Sequence, residues 1–190
     1  GDANIKDAIY EHDSGMKVIP AGISLKDLRG ADSRNLSNSL LDLLGDSEII
    51  LLDVAAGLGK ESLSAIESAD EAVLITNPEI PSVTDALKSA KLAQQLGTRV
   101  IGVVINRTTG KKHEMRLADV YSMLGGQPVL AVIPEDEEVK KSLAKRVPVI
   151  HHKPQAKASR EIYKLASAIA GTQYYYNEPL HSRLLRFIRR

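Results

Sequence analysis

Apolar residues rich in Val and Ile recur along the 190-residue chain in short, nearly unbroken runs at 16–22, 48–53, 71–76, 99–106 and 128–134. Runs of this length without polar alternation are the pattern of strands buried on both faces. Around them, apolar positions return at helical spacing over 35–44, 60–68, 82–96, 114–124, 136–145 and 156–170. The alternation predicts an α/β fold, a mainly parallel sheet with helices on both faces. Local punctuation is clearest around the third helix. Pro81 and Ser82 open it, Ser82 and Asp85 stand at capping-box spacing, and Gly97 closes it. In open sheets of this kind ligands bind beyond the carboxyl ends of the strands. The residues that follow each apolar run are therefore where chemistry is sought.

Composition narrows the choice. A length of 190 residues and a hydrophobic content of 43% suit one ordinary globular domain. The net charge of +1, from 25 basic and 24 acidic residues, argues against a surface that coats nucleic acid. An aromatic content of 4% argues against base-stacking platforms. The absence of cysteine excludes disulfides and thiolate metal sites, and no stretch reads as a signal peptide or membrane span, so the expected compartment is the cytoplasm. The chain opens on Gly1 within polar, helix-like text and is expected to be a piece of a longer polypeptide.

Three strand ends carry candidate chemistry. The run 48–53 delivers Asp53, followed by Val54-Ala55-Ala56-Gly57-Leu58-Gly59-Lys60-Glu61. This resembles a Walker A loop but fails twice: Val54 stands where the first Gly is needed, and Glu61 where a Ser or Thr should reach magnesium. Asp53 is instead either a carboxylate that helps hold magnesium at the ligand edge or a cap for the helix near Lys60. The run 99–106 delivers Asn106 with Arg107 beside it. An Asn amide offers donor and acceptor to a purine edge and a guanidinium can stack on the ring, yet Asn also simply starts turns. The run 128–134 delivers Pro134, Glu135 and Asp136, which either present backbone groups to a base or cap the next helix. His113, His151 and His152 have no metal-ligand company and are assigned no site.

Taken together, "IILLDVAAGL", "ADEAVLITNPEIPSVTDA", "GVVINR" and "VLAVIPEDEEVKKSLAKRVPVI" resemble, in order and separation, the MinD branch of the MinD/ParA family of deviant Walker A ATPases. The likeness runs from about residue 5 to residue 170. It implies a P-loop NTPase-like fold and an ATP- and Mg2+-dependent hydrolase that forms a homodimer around nucleotide. It also implies a cycle on and off the inner face of the cell membrane that places division machinery, with a regulatory protein of MinC or MinE type as a partner. Asp53 then corresponds to the magnesium-associated Asp of switch II and Gly57 to the glycine that senses the γ-phosphate. Asn106 and Arg107 correspond to the adenine-recognition pair, and Pro134, Glu135 and Asp136 to the second adenine-side loop. The family's KGGxGK[ST] loop and its first strand do not occur in residues 1–190. The resemblance therefore implies a partial nucleotide-binding domain over 1–171, inactive as it stands, with neighbouring strands left unpaired.

Residues 172–190 read as a tail. On a helix of about 100° per residue, Leu180, Leu184, Leu185, Phe187 and Ile188 fall on one side and Arg183, Arg186, Arg189 and Arg190 on the other. That pattern suits either an amphipathic membrane-targeting helix or a terminal helix docked on its own domain. Two rival functions stay open: a degenerate relative acting as a membrane scaffold or adaptor, and a ParA-like partition ATPase, which the near-neutral body disfavours.

Overall fold

The structure is a computed structural model that describes residues 5–20, 36–55, 57 and 59–173. The described residues fall into two compact units, one drawn from 1–74 with 84–101 and the other from 75–83 with 102–190. In chain order the described elements begin with a 3-10 turn Ile5–Ala8, β1 Tyr10–Glu11, β2 Lys17–Val18 and α1 Leu36–Leu41. There follow α2 Lys60–Ser68, β3 Glu71–Thr76, α3 Ile80–Leu96 and β4 Arg99–Thr108. The chain then forms α4 Leu117–Met123, β5 Val129–Pro134, α5 Glu137–Ala144, α6 Val149–His152 and α7 Lys157–Ile169. The fold is α/β, as the alternating pattern predicts, with strand order β3–β4–β5 in its sheet and β4 parallel to β5.

Where a run has a partner, it becomes a strand. Val103, Val104 and Ile105 are fully buried, which is why that stretch of β4 carries no polar residue. In α3, Val83, Ala86, Ala90 and Ala93 form one buried stripe at helical spacing. The helix stops where Gly97 takes a positive φ of 85° and the Thr98 amide reaches back to the Ala93 carbonyl at 2.9 Å. Its start differs from expectation. It begins at Ile80, so Ser82 lies inside the first turn, and Asp85 pairs with Lys88 at 2.9 Å rather than closing a capping box.

Two predicted strands are corrected. Among the described residues of the run 16–22, only Lys17–Val18 is strand, paired antiparallel with Tyr10–Glu11 in an exposed ribbon. The run 48–53 forms no strand, and Ile49, Ile50 and Leu51 are exposed, Leu51 by 78%. A strand exists only with a ladder partner, and among the described residues none pairs with 48–53.

In the first unit, α2 is tied to the start of β4 by the buried Thr98, whose hydroxyl donates to the Ile66 carbonyl at 2.6 Å. In the second, α7 packs on β5, with Val149 of α6 and Ala158 of α7 among the buried residues. The β4–β5 register runs Val103 with Val129, Val104 with Ala131, Ile105 with Val132 and Thr108 with Pro134. It therefore slips twice, once at Leu130 and once at Asn106–Arg107. The first slip needs Gly102: a Cβ there would stand 2.6 Å from both the Leu130 side chain and the Pro128 carbonyl oxygen. Backbone oxygen cannot swing aside, so Gly102→Ala is expected to lower unfolding free energy by about 1–3 kcal/mol. Urea unfolding followed by circular dichroism measures this, and an unchanged midpoint would contradict the close approach.

Candidate functional site

The second slip creates the site. Between Ile105 and Thr108 β4 advances three residues while β5 advances two, from Val132 to Pro134, so β4 holds one residue more than its partner. Such a bulge bends the strand and re-aims its side chains. Arg107 absorbs the misfit by adopting a positive φ of 56°, a conformation that is strained by about 1–3 kcal/mol outside glycine.

Three bonds hold it. The Glu135 amide donates to the Thr108 carbonyl at 2.9 Å, past the bulge. The Arg107 Nε donates to Glu135 Oε2 at 2.9 Å. The Arg107 amide donates to Asn106 Oδ1 at 3.0 Å. This last bond settles the Asn106 amide: the atom that accepts from an N–H is the oxygen, so Nδ2 carries the two donors left for a ligand. The Arg107 side chain is 64% exposed, so its guanidinium is held by the Nε bond to Glu135. The Arg107 guanidinium holds the Glu135 carboxyl below the usual carboxylate range, with Lys140 Nζ at 3.4 Å from Oε1 adding to the effect. Glu135 in return raises the Arg107 pKa.

Asp136 has a different occupation. Its Oδ1 accepts from the Glu138 amide at 3.0 Å, capping α5, and its Oδ2 accepts from the Ala158 amide at 3.2 Å, at the start of α7. Of its two readings, the capping one is therefore the one its carboxylate shows. The structure thus gathers Asn106, Arg107, Pro134, Glu135 and Asp136 at the carboxyl ends of β4 and β5. It adds Lys140 and the Thr108 carbonyl, which the sequence reading did not name. Lys140 stands five residues after Glu135, a spacing that periodicity does not single out; Ala158 lies 22 residues beyond Asp136 and leaves no local trace.

The Asp53 segment lies in the other unit. Asp53 is exposed on irregular backbone, and the loop after it is anchored by the buried Ser62, whose hydroxyl donates to the Ala55 carbonyl at 3.2 Å. Helix α2 is capped by Gly59 without any side-chain bond, so Asp53 is not its cap. Gly57 has φ 121°, a conformation that favours glycine, and open space around the position of a Cβ. A single exposed carboxylate suits magnesium held mainly by phosphates and water, the usual mode for this ion, and does not suit an all-protein site. Among the described residues no cluster of three or more His, Asp or Glu side chains could hold a metal, and no helix is long and apolar enough to cross a membrane. Leu180, Arg183, Leu184, Leu185, Arg186, Phe187 and Ile188 lie outside the described residues.

Residues 6–149 match the family described as the CobQ/CobB/MinD/ParA nucleotide binding domain. The chain belongs to this family. Within the CobQ/CobB/MinD/ParA family it is 40% identical over 174 residues to an uncharacterized ATP-binding protein of Methanocaldococcus jannaschii, covering 92% of this chain and 66% of the relative. A second such protein of the same organism is 32% identical, covering 94% and 68%. The chain thus spans about two thirds of the length of these relatives. Among solved structures it is similar to the septum site-determining protein MinD of Pyrococcus horikoshii complexed with Mg-ADP, with TM-score 0.83, 31% identity, and 88% and 69% of the two chains covered. The cell division ATPase MinD of Pyrococcus furiosus gives TM-score 0.84 and 32% identity, covering 90% and 72%. The α/β fold expected from the sequence is the fold of these MinD proteins.

The Asp136 carboxylate gives a pH signature. Partial burial works to raise its pKa, but the amides of Glu138, Ala158 and Lys157 and the Lys157 charge outweigh that and hold it below the usual Asp range. A carboxyl depressed in the folded state contributes stability that is present above its unfolded value of about 3.9 and is lost as pH falls through the folded value. Asp136→Ala is expected to lower unfolding free energy by about 1–2 kcal/mol at neutral pH. The gap to the parent chain should narrow as pH drops below about 4. Urea unfolding at neutral and acid pH checks both, and a gap that ignores pH would show that the charge does not do the capping.

Proposed function

We propose that these residues are the carboxyl-side part of an ATP-switched, dimerising positioning factor of the MinD type. In this reading they supply adenine recognition and one magnesium-associated carboxylate and leave the phosphate grip to other polypeptide. The observation that carries the reading is the Asn106–Arg107 bulge with Glu135 clasped to it. It leaves the Asn106 Nδ2 donors and the exposed Arg107 side chain at one strand end, groups suited to the edge and the face of an adenine ring. Asp53 is assigned to magnesium, through water, and Gly57 to the γ-phosphate side. Magnesium, when bound, neutralises charge developing on the transferred phosphoryl group. Arg107 and Asn106 orient the base, Glu135 holds Arg107 in place, and Asp136 fixes the turn that carries Glu135 by capping α5 and bonding the first turn of α7.

Phosphoryl transfer depends on amides and a lysine wrapped around the phosphates, together with the ion. Residues 1–190 contain no GK[ST] sequence, so ATP hydrolysis by these residues alone is expected at background. Saturation-transfer NMR with adenosine and with uridine, alongside a phosphate-release assay, tests this. Adenosine should give the stronger signal and Asn106→Ala should reduce it about threefold or more, one lost hydrogen bond being worth about 1 kcal/mol. An adenosine signal indifferent to Asn106 would remove the adenine assignment, and phosphate release above the blank would remove the assignment of inactivity.

Membrane association is assigned to the tail. Arginines near an anionic surface contribute about 1 kcal/mol each, enough for reversible binding by one short helix and much tighter binding by two on a dimer. Sedimentation with vesicles containing anionic lipid should carry the chain down at low salt. Leu184→Asp with Leu185→Asp should abolish this, and Arg183→Glu with Arg186→Glu should weaken it about tenfold or more. Sedimentation unaffected by either pair would leave the tail a docked terminal helix.

A further inference from the structure

Between the end of β4 at Thr108 and the start of α4 at Leu117 the chain makes an excursion that is built to keep its shape. The Glu114 carboxylate accepts from the Thr109 amide at 2.8 Å, the Thr109 hydroxyl at 2.6 Å and the Gly110 amide at 2.9 Å. The Glu114 amide donates to the Lys111 carbonyl at 3.1 Å, and the Met115 amide donates to the Pro78 carbonyl at 2.9 Å. Gly110, with φ 72°, supplies the left-handed residue that the turn requires. The one carboxylate near the tip is therefore folded back into it, while the cations face water.

Of the four Lys and Arg residues from 107 to 116, Arg107 pairs with Glu135 and Arg116 with Asp119. Lys111 and Lys112 are exposed and have no ion-pair partner among the described residues. Just beyond them, Leu117 and Tyr121 stand four apart on one face of α4 and are 46% and 47% exposed. Lys112 and Leu117 are five residues apart, so their Cα atoms lie no more than about 18 Å from each other. That is the length of a helix of about 12 residues.

We propose that the surface from Thr109 to Tyr121 is a docking site for an acidic segment of a partner protein, its carboxylates on Lys111 and Lys112 and an apolar side chain on Leu117 and Tyr121. Two unpaired cations are too small a footprint for duplex nucleic acid, where about 6–10 phosphate contacts are usual. Two lysines are likewise too few for an anionic bilayer, where clusters of about 4–8 Lys or Arg are usual. The held turn lowers the cost of ordering the lysines on binding. The proposal stands whether or not the neighbouring bulge recognises adenine.

The probe is a fluorescein-labelled synthetic peptide with Glu pairs around a Leu-x-x-x-Leu core, titrated with the full chain at low salt and followed by anisotropy. Circular dichroism melts first establish that each variant folds. Saturable binding is expected. Lys111→Glu with Lys112→Glu should weaken it about tenfold or more, and Tyr121→Ser about threefold or more. Lys91→Glu with Lys153→Glu, which changes net charge equally, should leave it within about twofold. Glu114→Ala separates shape from charge: charge alone would tighten binding to an acidic peptide, whereas loss of the held turn weakens it, by about threefold or more. Absence of saturable binding, tightening in Glu114→Ala, or equal loss in both lysine pairs would overturn the proposal. So would lysine variants that keep the peptide but lose duplex DNA or anionic vesicles.

Discussion

One surplus residue in β4 is the constraint on which the candidate site rests. Were β4 and β5 to keep a regular register to their ends, Asn106 and Arg107 would sit within the ladder and their side chains would point to opposite faces. The bulge takes them out of it. It does so at a cost in backbone strain at Arg107, offset by the Glu135 amide bond to Thr108 and by the ion pair that closes over the misfit. Neither strand alone can hold this shape. The Arg107 conformation is made by β4, and of the three bonds that hold it two reach Glu135 in the turn after β5 while the third closes on Asn106 itself.

This division of labour explains what the sequence disclosed. Elements whose burial depends on one dominant partner were legible: Val103 to Ile105 read as a strand because both its faces are covered, and α2 and α3 read as helices from local spacing and, for α3, from Gly97. The run 48–53 was misread for the complementary reason. Apolar composition records that a segment is suited to a ladder, not that a ladder is present, and Ile49 to Leu51 have none among the described residues. Ser82 and Asp85 failed similarly, since helix α3 starts two residues before Ser82 and the Asp85 amide that a Ser82 cap would bond already lies within the helix.

At the site, residue types were legible and their duties only partly so. Asn106, Arg107 and Glu135 were found because strand ends are where polar residues break an apolar run. That Glu135 serves Arg107 could not be read, because 28 residues separate them. Asp136 was seen as either a base-facing group or a cap, and only its second bond, to the Ala158 amide, shows how completely its oxygens are engaged. Asp53 keeps its exposed position at the head of a loop pinned by Ser62, a tie that no motif would have suggested.

The double engagement of Asp136 has a dynamic consequence. Because the two oxygens of one carboxylate bond the first turns of two helices that begin about twenty residues apart in the chain, displacing that carboxylate removes a bond from both starts at once. The starts of α5 and α7 thus share one anchor, which sits next to Glu135 in the chain. A fluctuation beginning far along the chain, at the first turn of α7, thus has a mechanical route to the clasp on Arg107.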